Sequence, residues 1–522
     1  MLHSVRAHRG MVTAPHHLAA QAGLGVLQEG GNAIEATVAV AATLAVVYPH
    51  MTGIGGDGFW LVAEPDGTTW AIDACGAAAA TAELALYGGF DAVPDRGPLA
   101  ANTVAGTISG WQAALARSGG TLPPSRLLRD AIHHAEHGVA VTRGGAEIIA
   151  GKGAELRGQP GAWAATYDGV REGDLLTQPA LGATLRRLAE DGLDSFYRGS
   201  LAADIARDLQ GLGSPVALSD LQLHAATTPK PLQLRVGDAM VFNTAPPTQG
   251  VASLLILALA HRLAAAPNDG FAHVHGLVEA TKQAFLYRDA QVGDPAYMQA
   301  DPQALLDDDA ALGAMAARID GARALSWPNP PQLGDTCWFG AADAEGRVVS
   351  CIQSTYFEFG SGIVLPQTGI TWQNRGSSFR LTPDGWNALK PGRKPFHTLN
   401  PALARFDDGR VMAYGTMGGE GQPQTQAAIF SRYAWHGVPL QEAITQPRWL
   451  LGRTWGDESV TLKLEDRFSP GLYDALRRAG HAVELVEPFT SMMGHAGAIV
   501  RHGSGLLEGA TDPRSDGQVA AW

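Results

Sequence analysis

Along the first half of the chain, apolar positions recur at helical spacing between runs of turn-forming residues. Leu18, Ala22 and Val26 mark a helix over residues 15–29, closed by Gly30-Gly31. Asn32 followed by Glu35 has the form of a capping box and opens a second helix that runs to Pro49. That helix is apolar all round its middle, which predicts burial on every face. Residues 59–63 and 70–73 read as a hairpin around Pro65-Asp66-Gly67, after the glycine-rich segment 53–58. Helical periodicity returns over 127–137, 180–191, 201–212, 249–263 and 274–289, with a hairpin at 232–236 and 240–243.

Beyond Thr336 the chain becomes strand-rich. Cys337 to Ala342 reads as a buried strand, Asp343-Ala344-Glu345-Gly346 as a turn, and 347–354 as the returning strand. Further strands are expected at 369–372, 402–406 and 411–414, and helices at 422–435 and 472–479. An irregular linker rich in proline, 326–333, leads into these strands.

Composition narrows the class. The 522 residues are 45% apolar, enough for a large core, and no internal repeat is visible. The formal charge of −13, without a basic block, argues against a nucleic-acid partner. Three cysteines, Cys75, Cys337 and Cys351, show neither disulfide nor zinc spacing. His133, His134 and His137 share a helix but have no flanking ligand set, so they read as surface residues and no metal is expected. The glycines of 53–58 lack the lysine and the preceding strand of a phosphate loop. The longest apolar run, 36–48, is too short to cross a bilayer, and the first ten residues contain no apolar leader segment. A cytoplasmic protein without cofactors is the expectation.

The chemistry centres on Gly334-Asp335-Thr336. By itself this triplet is compatible with an ordinary turn into a strand. If the Asp335–Thr336 bond were cut, however, Thr336 would carry a hydroxyl and an α-amine on one residue. A free α-amine has a pKa of about 8, against about 10 for lysine, so it can act as a base at neutral pH. A Thr activated by its own amine is a known nucleophile.

Five spaced stretches then resemble the γ-glutamyltranspeptidase family in the family's order. They are Gly31-Asn32-Ala33-Ile34-Glu35-Ala36, Pro49 through Phe59, Asp335 through Gly362, Gly415-Thr416-Met417-Gly418-Gly419, and Asp512-Pro513-Arg514-Ser515-Asp516-Gly517. The resemblance implies an α/β N-terminal nucleophile hydrolase, an αββα sandwich formed by two pieces of one cleaved precursor. Residues 1–335 would form the large piece and 336–522 the small catalytic one, staying together as a heterodimer that can dimerise further. It places the nucleophile at Thr336, a supporting hydroxyl at Ser354 and the oxyanion-binding N–H groups at Gly418 and Gly419.

The substrate pocket departs from the transpeptidase pattern. The family's carboxylate-binding Arg is absent at Asp73-Ala74-Cys75-Gly76, and Tyr356 stands where the family has Asn. Arg375 and Ser378 replace the Gln and Asp that hold an amino-acid head group, and His397-Thr398 replaces a Ser pair. Arg375 can hold a carboxylate, while the acid that would pair an α-ammonium is missing. A small anionic amide without an amino group is therefore the expected substrate. The pattern Asn374-Arg375-Gly376, Phe396 to Pro401, Gly421 to Gln426, and Pro447-Arg448-Trp449 with Arg453-Thr454-Trp455-Gly456 resembles the family's oxamate-hydrolysing branch, in purine-nitrogen breakdown. γ-Glutamyl hydrolysis or transfer, acylase action on dicarboxylic side chains, and a non-catalytic binding role remain as alternatives. Cys337 is the alternative nucleophile.

Overall fold

A computed structural model describes residues 3–263, 270–327, 335–452 and 459–522. The proline-rich lead from Pro328, Gly334 and the run Arg453 to Gly456 lie outside the described residues. Two antiparallel sheets stack face to face. The six-stranded one runs in the order Gln518–Ala521, Gly10–Ala14, Asp335–Asp343, Val348–Tyr356, Asp57–Ala63, Thr69–Ala74. The seven-stranded one runs Val5–Ala7, Leu507–Thr511, Ala496–Arg501, Val411–Thr416, Ala402–Phe406, Ala239–Asn243, Leu232–Val236. Each sheet takes strands from both sides of residue 335, so the two pieces of a cut chain would share both sheets.

Phe59, Leu61, Trp338 and Ile352 from one sheet meet Phe242, Leu403, Ala413 and Ile499 from the other, and exclude water between them. Helices cover the two outer faces, giving four layers. Ala33–Val47 is buried at every position, as its all-round apolar surface predicts, and its capping box is present in full. It packs against His17–Gln28 so closely that a Cβ on Gly23 would lie 2.6 Å from Val40 Cγ2.

Trp338 ties the strand Asp335–Asp343 to the opposite sheet. Its ring packs against Gly415 and Gly497, where added Cβ atoms would approach it to 2.2 and 2.5 Å. Its Nε1 donates to Ser350 Oγ at 3.0 Å.

Two expectations need correction. Residues 369–372 form no strand; they make only single bridges, Val364↔Thr371 and Gly55↔Trp372, because Gly369 turns the chain at φ +67°. The helix expected over 422–435 is α-helical only as Gly421–Phe430, and Ser431–Trp435 widens into a π turn.

Three buried imidazoles surround Tyr48. Its hydroxyl meets His495 Nδ1 at 3.2 Å, and the His50 ring lies 4.3 Å away. Burial lowers His16 and His50 to about 3 and His495 to about 4. The folded state therefore binds fewer protons than the unfolded chain below the ordinary histidine value of about 6.5. Their stabilisation is complete above that pH and declines as pH falls towards 3–4, each group costing about 1.4 kcal/mol per pH unit. The melting temperature should drop between pH 7 and 5, and His50→Gln should flatten the slope; an unchanged slope would show that these rings titrate normally.

Candidate active site

Thr336 is the second residue of Asp335–Asp343, held between Gly10–Ala14 and Val348–Tyr356. Cys337 pairs with Gln353 and Asp335 with Tyr356, so two residues, Ser354 and Thr355, oppose Thr336 alone. This bulge bends the partner strand around the threonine. Tyr356 takes φ +83°, and its N–H donates to Ser354 Oγ at 2.7 Å. Gln422 Nε2 donates to Thr336 Oγ1 at 3.3 Å, while Gln422 Oε1 accepts from the Asn400 N–H. Cys337, fully buried, joins the apolar layer under the helices.

Gly418 and Gly419 turn the chain from Val411–Thr416 into the helix Gly421–Phe430. Their φ values, +113° and +51°, lie where side chains are strained. Neither N–H donates to a backbone carbonyl among the described residues. Donors left open in this way can face a developing oxyanion. The turn is held from behind. Arg448 donates to the Met493 and Gly494 carbonyls and to Asp512 Oδ2, and Gly494 lies against the 417–418 backbone. The Asp512-Pro513-Arg514 motif thus acts as a strut, with Arg514 bridging Asp512 and Glu465.

The pocket residues converge on Tyr356. The Arg375 guanidinium carbon lies 3.5 Å from the Tyr356 ring centre, and Arg375 Nη2 donates to Thr398 Oγ1 at 3.2 Å. Arg375 is fully buried, yet its Nε and Nη1 meet no acceptor among the described residues. Burial brings it down to about 10, with Tyr356, Asp57 and Cys75 acting in the opposite direction, so it stays cationic. His397 lies beneath, donating from Nε2 to Asp57 Oδ2 at 3.1 Å while Nδ1 accepts from Leu399 N–H. Asp57 Oδ1 accepts from Gly76 N–H, Gly106 N–H and Gln373. Burial pushes Asp57 up to about 7, against the pull of these donors and of Arg375. Ser378 does not join this group: its hydroxyl donates to the Phe396 carbonyl at the base of the segment 379–395.

Asp57, Cys75 and His397 bring three metal-type donor atoms within 4.8 Å of one another. The donors crowding Asp57, and a Cys75 thiol kept protonated by burial, fit a hydrogen-bonded cluster better than an ion. His133 and His137 are exposed, as expected of surface histidines.

Sequence reasoning missed one residue that links the two halves of the site. Gln249, fully buried, donates to the Gly419 carbonyl at 2.8 Å and the Thr398 carbonyl at 2.6 Å. Its Oε1 accepts from Arg288, which also bonds Glu420. A Gln ahead of an apolar helix carries no local signal of this role.

Comparison with known proteins places these features in context. The gamma-glutamyltranspeptidase family profile matches residues 19–522. The oxamate amidohydrolase proenzyme of Klebsiella pneumoniae subsp. pneumoniae is 56% identical over 520 residues, covering 98% of each chain. A glutathione hydrolase-like proenzyme of Bacillus subtilis (strain 168) is 38% identical, also over 98% of each chain. Among solved structures, a cephalosporin acylase from Bacillus halodurans superposes with a TM-score of 0.92 at 32% identity, over 99% of this chain and 97% of its own.

Proposed function

The chain belongs to the gamma-glutamyltranspeptidase family of self-processing amidohydrolases, and from that premise we propose that it hydrolyses oxamate through Thr336, freed by its own cutting of the Asp335–Thr336 bond. Residues 1–335 and 336–522 are then the two pieces of a heterodimer. The observation that carries the substrate is Arg375, a buried cation with two N–H ends meeting no acceptor among the described residues. A buried unpaired donor is costly, and a ligand carboxylate supplies what it lacks. The 56% identical relative acts on the same small anion by its name.

In this reading the Thr336 α-amine takes the hydroxyl proton and Oγ1 attacks the amide carbonyl. The Gly418 and Gly419 N–H groups hold the oxyanion. Collapse returns the proton to the leaving nitrogen and releases ammonia, leaving an ester on Thr336. Water, activated by the same amine, hydrolyses the ester and frees the dicarboxylate. Ser354 and Gln422 orient the hydroxyl. The bulk of Tyr356 with Arg375 stacked on it favours a small acyl group, which weighs against the acylase alternative. The absence of an acid at Ser378 weighs against a γ-glutamyl head group. Purine-nitrogen breakdown, a cytoplasmic setting, further dimerisation and the absence of a nucleic-acid partner belong to the same proposal.

Ammonia release across oxamate, glutamine, glutathione and short dicarboxylic monoamides tests it: oxamate should turn over fastest, and faster γ-glutamyl turnover would overturn the assignment. Gln249→Leu should lower kcat about 10-fold by loosening the Gly419 turn and raise KM by loosening Thr398. Unchanged kinetics in a folded Gln249→Leu protein would remove that residue from the reading.

A further inference from the structure

The helix Phe271–Gln291 buries His275, Glu279 and Lys282 on one face, at spacings of four and three residues. Lys282 and Glu279 are each only about 2% exposed, and Lys282 Nζ donates to Glu279 Oε1 at 2.6 Å. His481, after the helix Pro470–Ala479, joins them: its Nε2 lies 2.8 Å from His275 Nδ1 and 3.8 Å from Glu279 Oε1. His275, Glu279 and His481 thus bring metal-type atoms within 4.8 Å. Two features argue against an ion there. The Lys282 ammonium already supplies a cation on Glu279, and the facing imidazole nitrogens satisfy each other.

Among the described residues, three further bonds of the cluster reach one exposed stretch of backbone. His275 Nε2 donates to the Asp320 carbonyl at 2.8 Å, and Lys282 Nζ to the Leu325 carbonyl at 2.6 Å. Glu279 Oε2 accepts from the Leu325 N–H at 3.0 Å, and the Ala324 N–H donates to the Ala479 carbonyl at 2.7 Å. Burying an ion pair is costly, and apolar residues of similar volume often stabilise a core at least as well. What this pair adds is a fixed position for residues 320–325. Those residues lie immediately ahead of the approach to Asp335–Thr336, and after a cut there they belong to the C-terminal tail of the large piece.

We propose that His275, Glu279, Lys282 and His481 form a clasp that fixes residues 320–325 ahead of the processing bond and retains them as the large piece's tail once that bond is cut. These are positioning residues for self-processing; turnover of the matured enzyme does not depend on them. The inference rests on the Asp335–Thr336 assignment above.

The test follows processing of freshly made full-length precursor by intact mass, for Lys282→Met and Glu279→Gln. Both should slow the cut about 10-fold or more, since misplacement of reacting groups by about 1 Å can cost 10²-fold. In matured protein, trypsin should cut at the exposed Arg323 faster in the variants, while kcat and KM stay within about 2-fold of the unmutated values. Should Lys282→Met fail to fold, Glu279→Gln keeps the shape and carries the test alone. Processing at the unmutated rate in a folded variant, with Arg323 equally protected, overturns the clasp; so does a matched loss of processing and matured turnover. A new terminus mapped elsewhere than Thr336 overturns the site assignment instead.

Discussion

Thr336→Ala should leave the chain in one piece and without measurable amide hydrolysis. The hydroxyl serves twice in the proposed chemistry, attacking the preceding carbonyl during processing and the substrate amide afterwards. The alanine protein retains the Gly418-Gly419 turn and the Arg375 pocket, so it should fold and bind without turning over. Removal of a nucleophile that acts as a unit with its base costs on the order of 10⁶-fold in kcat. Thr336→Ser should recover part of both steps, since it restores the oxygen without the methyl group that restrains it. Intact mass and N-terminal sequencing read the first step, and ammonia release the second. A Thr336→Ala chain that still cuts would place the nucleophile elsewhere. Cys337 is badly placed to replace it: the neighbouring strand position sends its side chain into the apolar layer under the helices.

Arg375→Ala should raise KM for the anionic amide about 100-fold while leaving processing intact. A charge-assisted bond to a buried carboxylate is worth about 3 kcal/mol, or roughly two powers of ten. Loss of the cation also raises the buried Asp57 further, because Arg375 is one of the groups that pull it down. Arg375→Lys should rescue only part of the loss, because an ammonium can neither lie flat on Tyr356 nor offer two parallel donors. The protein's overall charge of −13 adds no attraction, so capture rests on this local cation. Steady-state kinetics with oxamate decide the matter: a silent Arg375→Ala would mean that the carboxylate is held elsewhere.

Local order decided much of what was legible from residue types alone. The capping box at Asn32, the hairpin turn at Asp343 to Gly346 and the buried strand from Cys337 to Ala342 each depend on neighbours within a few positions. All three occur where expected. The five family stretches likewise pointed to an N-terminal nucleophile hydrolase before any fold was visible. Contacts across hundreds of residues decided the rest. Gly10–Ala14 is a central strand because Asp335–Asp343 and Gln518–Ala521 flank it, and no local alternation marks five consecutively buried residues. Residues 369–372 have strand-like residues but no partner row, so they make bridges instead. The Asp57–His397 pair spans 340 positions, and Gln249 reaches Gly419 across 170. The sequence by itself therefore determined the family, most of the local elements and the threonine on which the proposed chemistry rests. Only the tertiary structure decided that the Ser378 hydroxyl bonds the Phe396 carbonyl, that Arg375 lies on Tyr356 with two donors meeting no acceptor among the described residues, and that Gln249 joins Thr398 to the Gly418-Gly419 turn. A side chain's hydrogen-bonding role depends on which distant backbone groups the packed layers bring within 3 Å, and nothing in its own sequence neighbourhood encodes that.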